Sequence, residues 1–376
     1  MFTSVMFISI LPEILILILG MLLLIVEPFW KDEQRRNAGW LTAAGLFIFM
    51  LISLVFGQPG EPIATLGGMI RFDWLGFFFK MLFMFAGATT ALLMLDSERL
   101  GNRGEAYLLL LASLLGMNLM AVSSDLIMLF LAIETTSIPL YVLAGFLLGN
   151  DKSTEAGFKY LLFGILTTTI MLYGFSLVFG FAGTTDLYQL ADLFQGGNLS
   201  PISAFGVLAL ILVGIGFKVS IVPFHFWAPD VYEGSPTPIA GFLSTASKAA
   251  GFAVLVRLFF VSFSNFAESW TTVLAILAAV TMTVGNLLTL PQSNIKRLLA
   301  YSSVAHAGYA MIGVVAFSQL GAASVVFYLA AYIATNLLAF GIVMVYSRIT
   351  GFEDIRDYAG MSRRNPILAL MMLSAF

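Results

Sequence analysis

Long apolar runs recur along this whole sequence, and they constrain its fold more than any other feature. A helix that crosses the hydrocarbon core of a bilayer needs about 20 mostly apolar residues. Hydrophobic residues make up 60% of the 376 residues and charged residues only 10%, which lies far outside the composition of soluble globular chains. The runs predict eleven spans and the start of a twelfth, at 8–27, 38–56, 74–95, 105–121, 125–148, 157–181, 203–229, 237–262, 270–290, 299–317, 322–346 and from 366.

The predicted fold class is therefore an all-α integral membrane protein, a polytopic helix bundle. The last residue, Phe376, comes about ten residues into the twelfth run. Since that is half of a membrane-spanning helix, we expect the chain to be truncated in the twelfth helix.

Basic residues are distributed unequally between alternate loops, and this predicts the orientation. Loops of odd number carry twelve, and loops of even number carry only Arg71; the twelve are Lys31, Arg35, Arg36, Arg99, Arg103, Lys152, Lys296, Arg297, Arg348, Arg356, Arg363 and Arg364. Lysine and arginine are enriched in cytoplasmic loops. We expect a multi-pass protein of the bacterial plasma membrane with its N-terminus outside and its first helix retained, because no basic segment or cleavage site precedes that helix.

The composition excludes several kinds of chemistry from this chain. It has no cysteine for a disulfide or an iron–sulfur cluster, and its two histidines lie on different predicted helices. No loop is long enough for a soluble domain; the longest, 182–200, has apolar residues at helical spacing and is predicted to lie at the outer interface. We therefore expect no cofactor in this chain, no nucleic-acid partner, and contacts with the lipid bilayer and other subunits.

Some charged residues inside the apolar runs have a simple predicted explanation. Lys80, Arg257 and Glu13 each lie near the outer end of a predicted span. Long side chains in such positions reach the interface while their stems remain in the apolar region. For these three residues the sequence predicts snorkelling.

Glu134, Lys218 and Lys248 are different because each lies near the predicted midplane of its span. Glu134 is about nine residues into its helix, and Lys248 follows Pro238, a predicted helix start, by ten residues. Pro139 and Pro223 each follow a charged residue by five positions, and Pro223 with Pro229 predicts a broken helix after Lys218. Irregular backbone at membrane depth survives only where protein or a water-filled cavity surrounds it.

We call Glu134, Lys218 and Lys248 the row, and three further residues extend it. His225 shares the face of Lys218 if the intervening turn is roughly helical, and His306 lies about ten residues into its span. Lys159 lies about 10 Å from the level of Glu134, so the two could interact only through water or flexible side chains. Neighbouring hydroxyl groups could hold connecting waters, namely those of Thr135, Thr136, Ser137, Ser220, Ser244, Thr245, Ser247, Tyr301, Ser302 and Ser303.

Two interpretations of the row remain open on the residues alone. Paired charges could fix helix packing, and for a single Lys–Glu pair this is as good an explanation as function. An unpaired charge at mid-bilayer costs at least about 2.5 to 3.5 kcal/mol, so several on neighbouring helices are hard to explain as packing contacts. Protonatable groups can carry protons, and the row therefore favours proton transport.

Four long segments resemble a known family. They are AIETTSIPLYVLAG at 132–145, GFKVSIVPFHFWAPDVYEGSPTP at 216–238, LSTASKAA at 243–250 and GNLLTLPQSNIKRLLAYSSVAHAGY at 285–309. They resemble the antiporter-like membrane subunits of the proton-pumping NADH-quinone oxidoreductase, respiratory complex I, which are related to multisubunit cation/proton antiporters. Within that family, PDVYEGSPTP and GFEDIRDYAGMSRRNP at 351–366 look most like the subunit N group.

The resemblance implies a role for each residue of the row. It assigns proton translocation to Glu134 as the acid, Lys159 as the connecting lysine, Lys218 as the lysine of the broken helix, Lys248 as the central lysine and His306 as the distal histidine; we add His225 from its spacing. It also implies inverted repeats, with predicted regions 1–104, 105–262 and 263–376, the last incomplete. Flavin and iron–sulfur clusters are expected in partner subunits, with quinone as the substrate of the complex.

The sequence therefore favours a proton-translocating subunit coupled to quinone reduction in neighbouring subunits. One alternative is a subunit of a cation/proton antiporter, against which the DVYEG and RDYAG stretches argue. The other is an assembly scaffold whose charges lock helices together.

Overall fold

The protein is a bundle of long helices, and the computed structural model describes residues 4–31, 34–97, 99–196 and 200–376. The helices in these ranges are α1 (Ser4–Ser9), α2 (Leu11–Val26), α3 (Asn37–Phe56), α4 (Trp74–Leu95), α5 (Gly104–Val122), α6 (Leu126–Ala144), α7 (Asp151–Ala182), α8 (Leu187–Gln195), α9 (Pro201–Val219), α10 (Trp227–Gly234), α11 (Thr237–Phe242), α12 (Lys248–Phe260), α13 (Ala267–Thr289), α14 (Ile295–Val315), α15 (Gln319–Thr350), α16 (Met361–Arg364) and α17 (Pro366–Ala375). A short hairpin, β1 (Ile63–Thr65) and β2 (Ile70–Phe72), precedes α4.

Eleven helical segments of the described ranges are long and apolar enough to cross a membrane. Their positions confirm the eleven predicted spans, and the ten-residue α17 begins at the predicted position of the next. Two helices, α7 and α15, run to 32 residues and extend beyond the apolar stretches. In α7 the extension is the polar first turn, whose end is capped by the Asn150 side chain.

The centre of the bundle is the segment Thr237–Phe260, in which every residue from 238 to 259 is buried. It comprises α11, a π-helical turn at Leu243–Ser247, and α12. It packs against α4, α5, α9 and α15. Lys248, the first residue of α12, therefore lies in the protein interior and is 1% exposed.

The predicted broken helix is confirmed between α9 and α10. The helix ends at Val219 because Ser220 adopts a left-handed conformation with a φ of 61°, and the backbone amide of Ile221 donates to the carbonyl of Gly216. Since the turn is not helical, the condition on which His225 would share the face of Lys218 is not met. The Thr281 hydroxyl accepts from the amide of Val222, so a neighbouring helix satisfies part of the opened backbone.

The snorkelling predicted for Lys80, Glu13 and Arg257 is wrong. Lys80 and Glu13 are buried and form an ion pair of 2.7 Å that joins α4 to α2. Arg257 is also buried and binds both carboxylate oxygens of Asp73, at 2.8 and 2.9 Å, while donating to the carbonyl of Ala121. Lys80 and Arg257 are each paired with a carboxylate outside their own span. Spacing along one helix could not reveal such a pair.

The loop 182–200 contains the predicted amphipathic helix as α8. Its apolar residues Leu187, Leu190 and Phe194 are buried against the bundle, and Phe194 contacts Phe263. The apolar face of α8 is therefore used for packing on the protein.

Candidate functional site

Lys218, at the end of α9, reaches α6, the helix that carries Glu134, at Ser137. Glu134 lies near the middle of α6, is half-buried, and is close enough to Lys218 for a Coulomb interaction. The Lys218 ammonium is buried and donates to the Ser137 hydroxyl at 3.0 Å. The hydrogen-bond partner of Lys218, Ser137, is thus neutral, and Glu134 is the carboxylate whose charge acts on the ammonium.

Gly251 brings Lys218 against the central helix. A Cβ atom at Gly251 would lie 2.6 Å from the Cγ1 atom of Val219 and 3.2 Å from the Cγ atom of Lys218. Only the absence of a side chain allows this approach. The end of α9 is therefore held one turn from Lys248, which lies three residues before Gly251 on the same helix.

Lys248 is bound by one residue of α14. Its ammonium donates to the Ser303 hydroxyl at 2.7 Å and to the Ser303 carbonyl at 2.9 Å. The Tyr232 ring lies 6.0 Å from the ammonium. Among the described residues, no carboxylate pairs with Lys248, in contrast to Lys80 and Arg257.

The two histidines lie on opposite sides of Lys248 in the chain, and both interact with its charge. His225, in the break between α9 and α10, is buried and its Nδ1 atom makes no hydrogen bond. His306, near the middle of α14, shares a hydrogen bond of 2.5 Å with the Tyr328 hydroxyl. The structure thus brings together five predicted site residues in two groups, Glu134 with Lys218, and Lys248 with the two histidines.

Lys159 lies apart from Glu134 and belongs to a different cluster. Its ammonium is 2.6 Å from Glu155 and 2.5 Å from Asp230. Asp230 also binds Arg297 at 2.7 Å, and the neighbouring Glu233 binds Lys152 and Arg297 at 2.7 and 2.9 Å. We call Lys152, Lys159, Asp230, Glu233 and Arg297 the α10 ion network.

The α10 ion network fixes the second half of the broken helix. Its basic residues belong to α7 and α14, and its two carboxylates belong to α10. Partial burial alone would raise the pKa of Asp230, but the hydrogen bonds and charges of Lys159 and Arg297 outweigh it and leave that pKa below its ordinary value. Glu233 follows the same pattern: burial is opposed by Lys152 and Arg297, and its pKa is lowered.

Several residues of the site were missed by sequence reasoning. Asp230 and Glu233 are three residues apart, a spacing that places them on one side of a helix and could have identified them. Tyr328 and Tyr332 are four apart on α15 and both approach His306. Tyr232, Tyr328 and Tyr332 carried no signal in the sequence, because a tyrosine in an apolar span is ordinary.

The described residues contain no group of three or more His, Cys, Asp or Glu side chains that could hold a metal ion. The site itself carries ammonium, carboxyl, imidazole and hydroxyl groups. Such groups bind, release and pass on protons.

A helical bundle with broken membrane helices and buried ionisable residues defines a class of membrane transport protein. Residues 123–376 match the family described as NADH:quinone oxidoreductase/Mrp antiporter, transmembrane. Subunit N of NADH-quinone oxidoreductase from Moorella thermoacetica is 43% identical over 363 residues, which cover 96% of this chain and 75% of the relative. The chain belongs to this family of antiporter-like membrane subunits, within the subunit N group, which confirms the resemblance seen in the sequence.

Two solved structures extend the comparison. A chain of respiratory complex I from Thermus thermophilus is 32% identical, with a TM-score of 0.77, and the match covers 97% of this chain and 78% of that one. A chain of the Mrp complex from Dietzia sp. DQ12-45-1b is 18% identical with a TM-score of 0.82, covering 100% of this chain and 70% of that one, and shows the fold alone. The all-α membrane fold class is confirmed; the three-part division of the chain stays a prediction.

Proposed function

We propose that this chain is a proton-translocating membrane subunit of an NADH-quinone oxidoreductase, without a redox centre of its own. The proton path runs through Glu134, Lys218, Lys248 and His306, with His225 beside it. Flavin and iron–sulfur clusters belong to partner subunits, and quinone reduction there supplies the energy. Relatives named subunit N that are about 40% identical over nearly the whole chain support this assignment.

The observation that carries the proposal is the difference between two kinds of buried cation. Lys80 and Arg257 each contact a carboxylate directly, as charges that hold helices together do. Lys218 and Lys248 instead donate to serine hydroxyls. A lysine whose nearest partners are neutral can lose its proton without leaving a bare carboxylate at contact distance, so these two suit proton transfer.

Lys159 enters the proposal at the edge of the path. Its ammonium lies one-third exposed between Glu155 and Asp230. From there it can exchange protons with water, and it connects to Glu134 through water rather than by contact. We therefore propose Lys159 as the connecting lysine of the path, the role that the resemblance implies.

The location follows from the same assignment. We propose that this multi-pass protein lies in the bacterial plasma membrane with its N-terminus outside, because lysine and arginine are enriched in the odd-numbered loops. Arg36 contacts the end of α4, and Arg348 pairs with Asp96 just beyond it, so these predicted cytoplasmic basic residues gather around one end of the same helix. This arrangement supports the proposed orientation.

The competing function is a subunit of a cation/proton antiporter driven by an ion gradient, a class that the description of the matching family also names. Purification of the tagged chain from gently solubilised native membranes separates the two. Co-purification with flavin and iron–sulfur subunits and donor-to-quinone activity is expected. Recovery with antiporter-like partners alone, and no redox centre, would establish the alternative.

The scaffold function is tested by Lys218→Ala. Loss of proton translocation in a complex that still assembles supports transport. Loss of assembly alone, with normal translocation in the complexes that do form, would support the scaffold. Arg103→Gln is the control, because Arg103 is exposed and its 3.7 Å contact with Glu105 lies far from the row.

A further inference from the structure

The region between Lys248 and His306 contains a cluster of hydroxyl groups that the proton path described above does not use. Ser303, which binds the Lys248 ammonium, lies beside both Tyr232 and Tyr332. The hydroxyl of Tyr332 and the hydroxyl of Ser244 are 3.0 Å apart and share a hydrogen bond. Ser244 belongs to the π-helical turn just before Lys248.

The next part of the cluster lies on α15. Tyr328 and Tyr332 are four residues apart and therefore occupy the same face of the helix. The Tyr332 ring centre is 4.9 Å from the His306 ring centre, and the Tyr328 hydroxyl is 2.5 Å from the Nδ1 atom of His306. One helix face thus carries both phenols to the imidazole.

Ser302, His306, Tyr328, Tyr332 and Asn336 line an open cleft along this face, together with the last residues of the sequence, Ser374–Phe376. The polar side chains of this lining offer several partners to water molecules. Water can therefore connect the hydroxyl groups that do not touch directly.

We propose that Tyr332 is a proton-relay residue between Lys248 and His306, that Tyr328 completes the relay, and that Ser244 positions the Tyr332 hydroxyl. This inference rests on the proposed function. The Ser303 hydroxyl donates to the Ala300 carbonyl at 2.7 Å in this structure, and in the relay it turns to Tyr332. A proton then leaves the Lys248 ammonium for the Ser303 oxygen as that hydroxyl passes its own proton on to Tyr332. The Tyr332 and Tyr328 hydroxyls repeat the exchange, and the imidazole of His306 gains one proton while Lys248 becomes neutral.

The π-helical turn has a role in this arrangement. Such turns interrupt the regular helix and occur frequently at functional sites. Here the turn ends at Ser247, directly before Lys248, and contains Ser244. It therefore joins the lysine and the serine that holds Tyr332 within one short segment of the central helix.

The test uses Tyr332→Phe in the full complex, because this substitution removes only the hydroxyl and retains the ring. Tyr346→Phe is the matched control: Tyr346 lies on the same helix, is equally buried, and donates to the carbonyl of Asp357, away from the site. Proton translocation is measured in membrane vesicles and normalised to the amount of assembled chain. Tyr332→Phe is expected to lower the rate on the order of 100-fold, the lower end of what a positioned proton donor contributes, with an unchanged quinone KM. Tyr346→Phe is expected to leave the rate unchanged.

Ser244→Ala, alone and combined with Tyr332→Phe, tests whether Ser244 acts through the Tyr332 hydroxyl or whether each substitution causes its own packing defect. If Ser244 acts only by positioning Tyr332, the double variant with Tyr332→Phe is no slower than Tyr332→Phe alone. If the two losses multiply, the positioning role of Ser244 is overturned. Should one variant fail to assemble, the other still measures the relay.

Lys248→Ala separates failure of the relay from failure of the proposed function. Loss of translocation in Lys248→Ala with a normal rate in Tyr332→Phe overturns the relay alone. A normal rate in Lys248→Ala overturns the proposed function, and the relay with it.

Discussion

Arg297 donates to Asp230 at 2.7 Å and so ties the second half of the broken helix, α10, to the first turn of α14. Asp230 uses its other oxygen to bind Lys159 of α7. Three helices therefore meet at a single carboxylate. This contact fixes the segment that follows Lys218 in addition to the apolar packing of Trp227, Val231 and Tyr232.

Asp230→Asn should weaken this junction. The variant loses two ion pairs that are each about one-third exposed, so we expect a decrease of about 1 kcal/mol or less per pair in the free energy of unfolding. The apparent melting temperature of the detergent-solubilised chain measures it. Asp230→Asn and Arg297→Gln should be non-additive, because both remove the same contact; strict additivity would show that the contact contributes nothing.

The α10 ion network should also make stability depend on pH in the acid range. The pKa values of Asp230 and Glu233 are lowered in the folded protein, so the unfolded chain binds protons more readily than the folded one. Their contribution is complete above the ordinary carboxyl pKa values of about 4 and is lost as the pH falls through the lowered folded values. The double variant Asp230→Asn, Glu233→Gln should show a flatter melting temperature between about pH 5 and pH 2. An equal slope in both proteins would contradict the assignment.

Lys80→Ala should reduce the amount of folded protein. It leaves the Glu13 carboxylate buried without its partner, which costs about 3 to 5 kcal/mol. The double variant Glu13→Gln, Lys80→Met removes both charges and should recover much of the yield. Quantitative immunoblotting of membranes measures the amount of chain; equal yields for Lys80→Ala and the double variant would mean that the pair is not formed.

Glu134→Gln should reduce proton translocation rather than the amount of folded protein. It preserves the shape of the side chain and should leave the amount of assembled protein unchanged, while proton translocation per assembled complex falls. Lys80→Ala should retain its translocation per assembled complex, because Lys80 is absent from the proposed path. Equal translocation in Glu134→Gln and Lys80→Ala would remove Glu134 from the site.

Gly116→Ala should separate α5 from α6. The added Cβ atom would lie 2.5 Å from the backbone nitrogen of Thr136 and 2.9 Å from the carbonyl oxygen of Ala132, so the backbones must shift. Overpacking of this kind costs about 1 to 3 kcal/mol. Gly206→Ala is the control, since a Cβ atom there would meet no atom of the described residues within 4 Å, and its melting temperature should not fall. Equal melting temperatures for both variants would contradict the close approach.

Much of this fold could be predicted from the sequence because the bilayer imposes a length on each apolar run. The eleven spans and the break after Lys218 follow from hydropathy and from the prolines at 223 and 229. The π-helical turn at Leu243–Ser247 could not be predicted, because no proline or glycine marks it. All five of its residues are buried.

The depth of individual charged residues in the candidate site could be predicted from the sequence, but their partners could not. Spacing indicated that Lys218 and Lys248 are deeply placed, yet Ser137 and Ser303 became their partners only through contacts between separate helices. The same limit explains the error at Lys80 and Arg257, whose partners Glu13 and Asp73 lie on or beside other helices. Depth within a span can be counted along one helix, whereas neutralisation depends on which helices are neighbours.

The central claim is that protons cross this chain through its hydroxyl-bound lysines. The most direct measurement is the initial rate of proton uptake by inverted membrane vesicles that carry Lys218→Ala, normalised to the amount of assembled chain, with Arg103→Gln as the control. The account predicts a strong loss of uptake in Lys218→Ala and wild-type uptake in the control. Wild-type uptake in Lys218→Ala, with normal assembly, would contradict it.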